Sequence, residues 1–302
     1  MPTPLDGNLI IARSVDFADF YKKMLLELQN LFAFGNLSDR RRAFYLIQQM
    51  QTLLRRVDIE AEAWMVENLK VFYHSGDQFA KSQMQALGIN EAGAQFYQVH
   101  EAAIAHVVAT MREEMIGAVS QVRGNLLSYI RMMQVAPEEQ RLILQDVARS
   151  VALGDATPTL SRNIQERLAS RAVSGYIKVG ARSIKLDSYA EMLARTHLRV
   201  AHSRGTEARL RANGINLVII SEHGTECKIC APLENKIFKL DGDSNYPSIE
   251  MLPNQGTPFH PNCLHVELPL IPELAGEEVL KEGAFDPATY PFNQDGKVKA
   301  SA

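Results

Sequence analysis

"ECKICAPLENK", residues 226–236, carries two of the three cysteines of the chain, and "PFHPNCLH", residues 258–265, carries the third. Cys227 and Cys230 are two residues apart; after 29 residues come His260 and Cys263, spaced the same way. Two knuckles of this kind suit a tetrahedral ion. A C-x-x-C turn aims two thiolates at one point, and an H-x-x-C turn adds an imidazole and a third thiolate. Cys227, Cys230, His260 and Cys263 would make a closed Cys₃His set with no open coordination position, which is a structural rather than a catalytic composition. One structural zinc ion is therefore the expected cofactor. An odd cysteine count, clustered in one short stretch, also argues against a disulfide framework. His265 and His223 are close enough to serve as substitute ligands or to support a ligand from behind.

Spacing alone leaves rivals open. A redox C-x-x-C expects a βαβ setting, and none precedes this one. The C-x-x-C could be structural without His260. A metal-dependent, HNH-like nuclease or DNA-processing enzyme could draw on Asn262 and His265, although both are packed into the same knuckle. No other catalytic constellation stands out.

The surroundings explain why a metal would be useful. "INLVII" (215–220), "KIFKL" (236–240) and "HVELPL" (265–270) are short β-type runs separated by turn-rich sequence. They predict a small β-rich knob over 214–270, too small to bury much core of its own. Metal binding would then supply folding free energy. The acidic tail, 271–302, is punctuated by proline and glycine and is expected to run extended.

The first two-thirds reads as helix. Phe20, Met24, Leu28 and Leu31 fall at helical spacing, and Gly35, Asn36 and Ser38 supply a stop and restart. Phe44, Ile47, Leu54, Val57, Ala61, Trp64 and Phe72 mark a second stripe, which "HSGD" (74–77) is expected to break. From Glu91 to Val135 there is no proline, and Ile104, Val108, Met111, Met115, Val122 and Ile130 keep the period; this predicts one very long helix, roughly 65 Å. Pro137 and Pro158 each read as the first residue of a further helix. A last helix is expected from Asp187 or Ser188 to Gly214. The fold class is mainly α: an elongated helical body with one very long helix (91–135), a zinc-stabilised β-rich knob and a tail. The expected divisions are 1–154, 155–213, 214–270 and 271–302.

Bulk properties narrow the classes. A hydrophobic content of 46% excludes wholesale disorder. No apolar run is long enough to span a bilayer, and the N-terminus reads as no secretory leader. Residues 1–150 hold 15 Lys/Arg against 17 Asp/Glu, residues 160–211 hold 11 against 4, and residues 222–302 hold 6 against 13. The chain is zoned neutral, basic, acidic. Arg195, Arg199, Arg204, Arg209 and Arg211 define a basic helical face, either solvated or turned toward an acidic partner or a nucleic-acid backbone.

The order of these parts carries a resemblance. A basic helix, "YAEMLARTHLRVAHSRGTEARLRANGI", runs into a strand, then C-x-x-C, "PLENKIF", "PFHPNCLH" and a closing "LPL". This resembles the C-terminal signature of tailed-phage minor head proteins, the phage minor capsid protein 2 group and the related Mu-type head-morphogenesis proteins. Cys227, Cys230, His260 and Cys263 match that signature residue by residue. Thr257 stands where a proline is common, and Leu264 where arginine is frequent. The resemblance spans 189–270. It implies a non-enzymatic head protein in several copies per virion, docked at the portal vertex and made in the bacterial host cytoplasm. Its expected partners are portal protein or major capsid protein, with non-specific contact to packaged DNA and none to membrane. Roles in procapsid assembly, DNA packaging and ejection go with it.

Overall fold

The structure is a computed structural model and describes residues 5–33, 40–89, 97–134, 174–293 and 296. The element order is α1 (Gly7–Ala33), α2 (Arg40–Ala86), α3 (Tyr97–Gln134), β1 (Tyr176–Val179), β2 (Arg182–Lys185), α4 (Leu186–Ala212), β3 (Leu217–Ile220), β4 (Ile237–Lys239), β5 (Glu267–Leu270) and α5 (Glu277–Glu282). The protein is mainly helical, with a small β-containing C-terminal region. The expected helix starts at Pro137 and Pro158 lie outside the described residues, as do 91–96 and 135 of the long helix.

Two compact units partition the chain. One comprises 15–63 and 112–191. Its helices bury stripes at helical period: Phe17, Tyr21, Met24 and Leu28 on α1; Leu46, Met50, Leu53 and Val57 on α2; Met115, Val122, Leu126 and Ile130 on α3. On α2 the stripe is shifted from the expected one, which included Phe44, a residue 63% exposed. Ion pairs tie the helices, Arg56 to Glu27 at 2.7 Å and Arg112 to Asp58 at 3.3 Å. β1 and β2 form an antiparallel hairpin, Val179 facing Arg182. The Gln121 side chain clasps its backbone, accepting from Lys178 N at 2.8 Å and donating to Lys178 O at 3.2 Å. The sequence reading missed this hairpin, although Gly180 at φ 59° sits in its two-residue turn.

The other unit comprises 1–14, 64–111 and 192–302. Here the expected break at "HSGD" is corrected: α2 runs unbroken through 74–77 to Ala86. The glycine serves a packing purpose instead. A Cβ on Gly76 would overlap the His202 carbonyl oxygen, and one on Gly205 would overlap that of Tyr73. The two glycines let α2 and α4 approach backbone to backbone. Thr206 Oγ1 donates to Gly76 O at 3.1 Å, and Arg209 pairs with both Asp77 oxygens at 2.6 and 2.8 Å. Asp77 thus joins the two helices.

The knob is a three-stranded antiparallel sheet in the order β4-β3-β5. Central β3 sets Val218 opposite Phe238 on β4 and Pro269 on β5. All three strands fall where the β-branched and alternating runs predict them. The knob's core is larger than the segment alone suggests, because Ala80 and Met84 of α2 and Leu210 of α4 complete it. The tail is a second correction. Its described part, 271–293, folds back instead of running extended: Gly283 O accepts from Ile237 N at 2.8 Å. Phe285, Tyr290 and Phe292 then chain onto Phe238, with ring centroids 5.1, 5.8 and 5.6 Å apart. Tyr290 is 1% exposed and donates to Ile229 O at 3.1 Å. The aromatic residues, not the acidic ones, decide the tail's path.

Candidate metal centre

Each knuckle is a local turn closed by its own backbone. Cys230 N donates to Cys227 O at 3.1 Å, and Cys263 N donates to His260 O at 2.9 Å. Thr225 Oγ1 accepts from Cys227 N at 3.1 Å and sets the entry to the first turn. Pro232 in the short 3₁₀ turn Ala231–Leu233 fixes the exit. Strands β3, β4 and β5 carry the two turns to one edge of the knob, and Cys230 and Cys263 become part of its core.

There the donor atoms meet. His260 Nε2 lies 3.3 Å from Cys227 Sγ and 3.0 Å from Cys230 Sγ; Cys230 Sγ lies 4.0 Å from Cys263 Sγ. Cys263 Sγ in turn lies 3.4 Å from His265 Nδ1. Two groups of three result, Cys227–Cys230–His260 and Cys230–Cys263–His265, with donor atoms within 4.8 Å of one another in each. A tetrahedral ion about 2.3 Å from sulfur and about 2.0 Å from nitrogen sets its donors roughly 3.5–3.8 Å apart. The observed separations bracket that edge length, and soft sulfur with imidazole is the donor chemistry zinc prefers.

The electrostatics agree. Cys263 is held well below the ordinary thiol range because it accepts from Cys230 and, against the opposing effect of burial, from His265. Cys230 is pushed strongly upward by donating to Cys263, by burial and by the neighbouring sulfur charges. Three sulfurs this close resist ionising together unless a cation joins them, and a bound dication would deprotonate all three.

His265 has a second partner. Its Nε2 lies 2.8 Å from Glu234 Oε1. That oxygen also accepts from the backbone of His223 at 2.9 Å and Thr225 at 3.4 Å. Burial pulls the imidazole pKa down, but Cys263 and Glu234 outweigh it and the net shift is upward. A carboxylate behind a histidine that faces a metal is a recurrent way to fix its tautomer and aim. His223 stands outside both donor groups; its Nε2 pairs with Ser221 Oγ at 3.0 Å and its ring lies edge-on to His265. Glu234 was not legible in the sequence, where it reads as an ordinary turn residue.

Cys263, His265 and Glu234 also have the atom types of a thiol nucleophile, base and orienting acid. Cys263 is 2% exposed and forms part of the knob core. The nuclease residues are likewise engaged: Asn262 Oδ1 accepts from Arg195 Nη1 at 3.1 Å, and His265 lies between Cys263 and Glu234.

Four of the five α4 arginines are engaged by groups of their own chain. Arg204 pairs with Glu207 at 2.9 Å and also donates to the Asn254 and Gln255 carbonyls. Arg209 holds Asp77, and Arg211 reaches Glu207 at 3.0 Å and Leu240 O at 3.3 Å. Arg199 is buried. α4 is a core helix whose charges are matched from α2, from the knob and by Glu207 of α4 itself. Glu207 belongs to a buried pair of carboxylates the sequence reading missed. Glu207 and Glu267 are each 1% exposed. Burial and the Glu207 charge push the Glu267 carboxyl up to about 8, even though Thr257 N and Oγ1 donate to it at 2.9 and 3.0 Å.

Helices pack on a knob that gathers the Cys/His cluster, and the sequence says to which family such a chain belongs. The sequence model of the phage minor capsid protein 2 family matches residues 46–284. The chain belongs to that family and has a structural place in the phage head. No curated protein and no solved structure gives a significant match. No helix among the described residues is long and apolar enough to cross a membrane.

Proposed function

We propose that the chain is a non-enzymatic minor head protein of the virion that docks at the portal vertex, in several copies, during procapsid assembly. The family match over most of the chain carries this reading. Portal protein or major capsid protein is the partner; the chain is made in the host cytoplasm and ends in the capsid interior. Packaging and ejection are the steps at which a protein so placed would act. A protein partner is favoured over DNA because three of the five α4 arginines pair with carboxylates of their own chain and a fourth, Arg195, donates to Asn262. Apolar groups are offered outward instead: Phe44, Tyr45 and Ile59 on α2 are each more than 60% exposed, at 63, 63 and 62%.

In this reading the knob is held by one structural zinc on Cys227, Cys230, His260 and Cys263, with His265 the substitute ligand. The zinc supplies closure and no reaction; the chain's residues fix where the knob faces. Cross-linking mass spectrometry on procapsids tests the placement. Cross-links from α2 or the knob to portal protein are expected. Recovery of the chain only from the soluble lysate, never with heads, would overturn the placement.

A further inference from the structure

Arg199 lies on α4 between two contacts that fix where its side chain goes. One turn before it, Arg195 Nη1 donates to Asn262 Oδ1 at 3.1 Å; one turn after it, Ser203 Oγ lies 2.7 Å from Thr257 Oγ1. Positions 195, 199 and 203 share one helix face. Arg199 is therefore laid against the 257–263 segment, which ends in Cys263. Arg199 is 8% exposed as a residue, and its buried Nε and Nη1 have no hydrogen-bond partner among the described residues. Burial works against its charge, Cys263 favours it, and neighbouring Arg195 opposes it.

A guanidinium stays protonated even when buried, and a buried cation without a counter-charge is strongly unfavourable. The donor cluster beside it has the complementary defect. A dication bound by three thiolates and a neutral imidazole carries one net negative charge, shut into the same core. Each buried charge is what the other lacks.

We propose that Arg199 is the counter-charge of the metal–thiolate centre, so that loading the metal and seating the knob on α4 are one event. This rests on the zinc reading above. It removes Arg199 from the partner-facing face to which its sequence position assigned it and makes it a positioning residue. Without metal, α4 and the knob share a misplaced cation; with metal, that cation holds the knuckle against the helix. The metal alone would report on this junction, because its escape requires separating a buried ion pair.

The test uses the full chain loaded with zinc, and follows transfer of the ion to a chromophoric chelator in excess. R199Q removes the charge and keeps hydrogen-bonding capacity; R199M removes the charge and keeps apolar bulk, the exchange that best preserves a buried fold. R199K keeps the charge alone. R199Q and R199M are expected to release zinc about tenfold faster than the parent, within the range that loss of an outer-sphere partner produces. R199K is expected to stay within about twofold, since a point charge is what the site needs. Parental release rates in R199Q and R199M overturn the proposal. So does R199K failing as badly as R199Q, which would make the role one of shape. A parent chain that binds no zinc overturns the metal reading and this proposal together, whereas a zinc-loaded parent with indifferent variants overturns this proposal alone.

Discussion

Substituting alanine at Gly76 should destabilise the protein, although alanine is the better helix former. In an unobstructed helix interior, Gly→Ala gains about 1 kcal/mol. At Gly76 the new Cβ would overlap the His202 carbonyl oxygen, a backbone atom of α4 that moves only if the helices part. Overpacking of this kind costs about 1–3 kcal/mol. Parting the helices also strains the buried Thr206–Gly76 hydrogen bond and the part-buried Arg209–Asp77 pair, which together contribute on the order of 2–4 kcal/mol. The net expectation is a loss of about 2–4 kcal/mol. Gly117 and Gly124 on α3 provide the control, because nothing lies within 4 Å of a Cβ built at either. There the same substitution should stabilise by up to about 1 kcal/mol. Urea denaturation followed by circular dichroism reads both signs. If Gly76→Ala is as stable as the parent, the close helix crossing is wrong and with it the reason α2 continues through "HSGD".

Further expectations concern the same unit. The buried Glu267 carboxyl, held up to about 8, keeps a proton that the unfolded chain releases nearer its ordinary 4.5. Stability from this group is full below the unfolded value and is lost as pH rises toward 8, with a slope of up to about 1.4 kcal/mol per pH unit. Glu267→Gln should flatten the decline between pH 6 and 8.5; equal slopes would refute the buried proton. Tyr290→Ala should cost about 3–5 kcal/mol and expose the tail to proteolysis, which an extended arm would not show. Asp77→Ala, which takes the carboxylate from part-buried Arg209, should cost about 2–4 kcal/mol, and the Asp77→Leu/Arg209→Met pair should recover most of it; a double variant as unstable as the single one would deny that the cost is electrostatic.

Local rules located what is locally encoded. The three knob strands were legible from β-branched runs between turns, and α4 from its capped ends, because strand and helix periods are written within a few residues. The two cysteine knuckles were legible for the same reason: each is a four-residue turn. What was missed depends on partners far along the chain. "HSGD" looks like a break until α4 lies across it. Arg209 looks like a free surface charge until Asp77, 132 residues away, meets it. Glu267 sits in a β-type run with no acidic residue beside it in sequence, yet β5 turns it toward Thr257 and Glu207. The acidic count of the tail concealed the three aromatics that anchor it. Charge summed by segment described composition correctly and exposure incorrectly, since α4's cations are matched from α2, from the knob and from α4 itself.

The central claim is that two knuckles, Cys227–Cys230 and His260–Cys263, close on one metal ion that holds the knob's core together. Elemental analysis of chain purified without chelator, paired with hydrogen exchange across 214–293, tests it most directly. One zinc per chain is expected, and stripping it should release protection in the knob while the helices of the other unit keep theirs. A metal-free chain whose knob is equally protected would contradict the account.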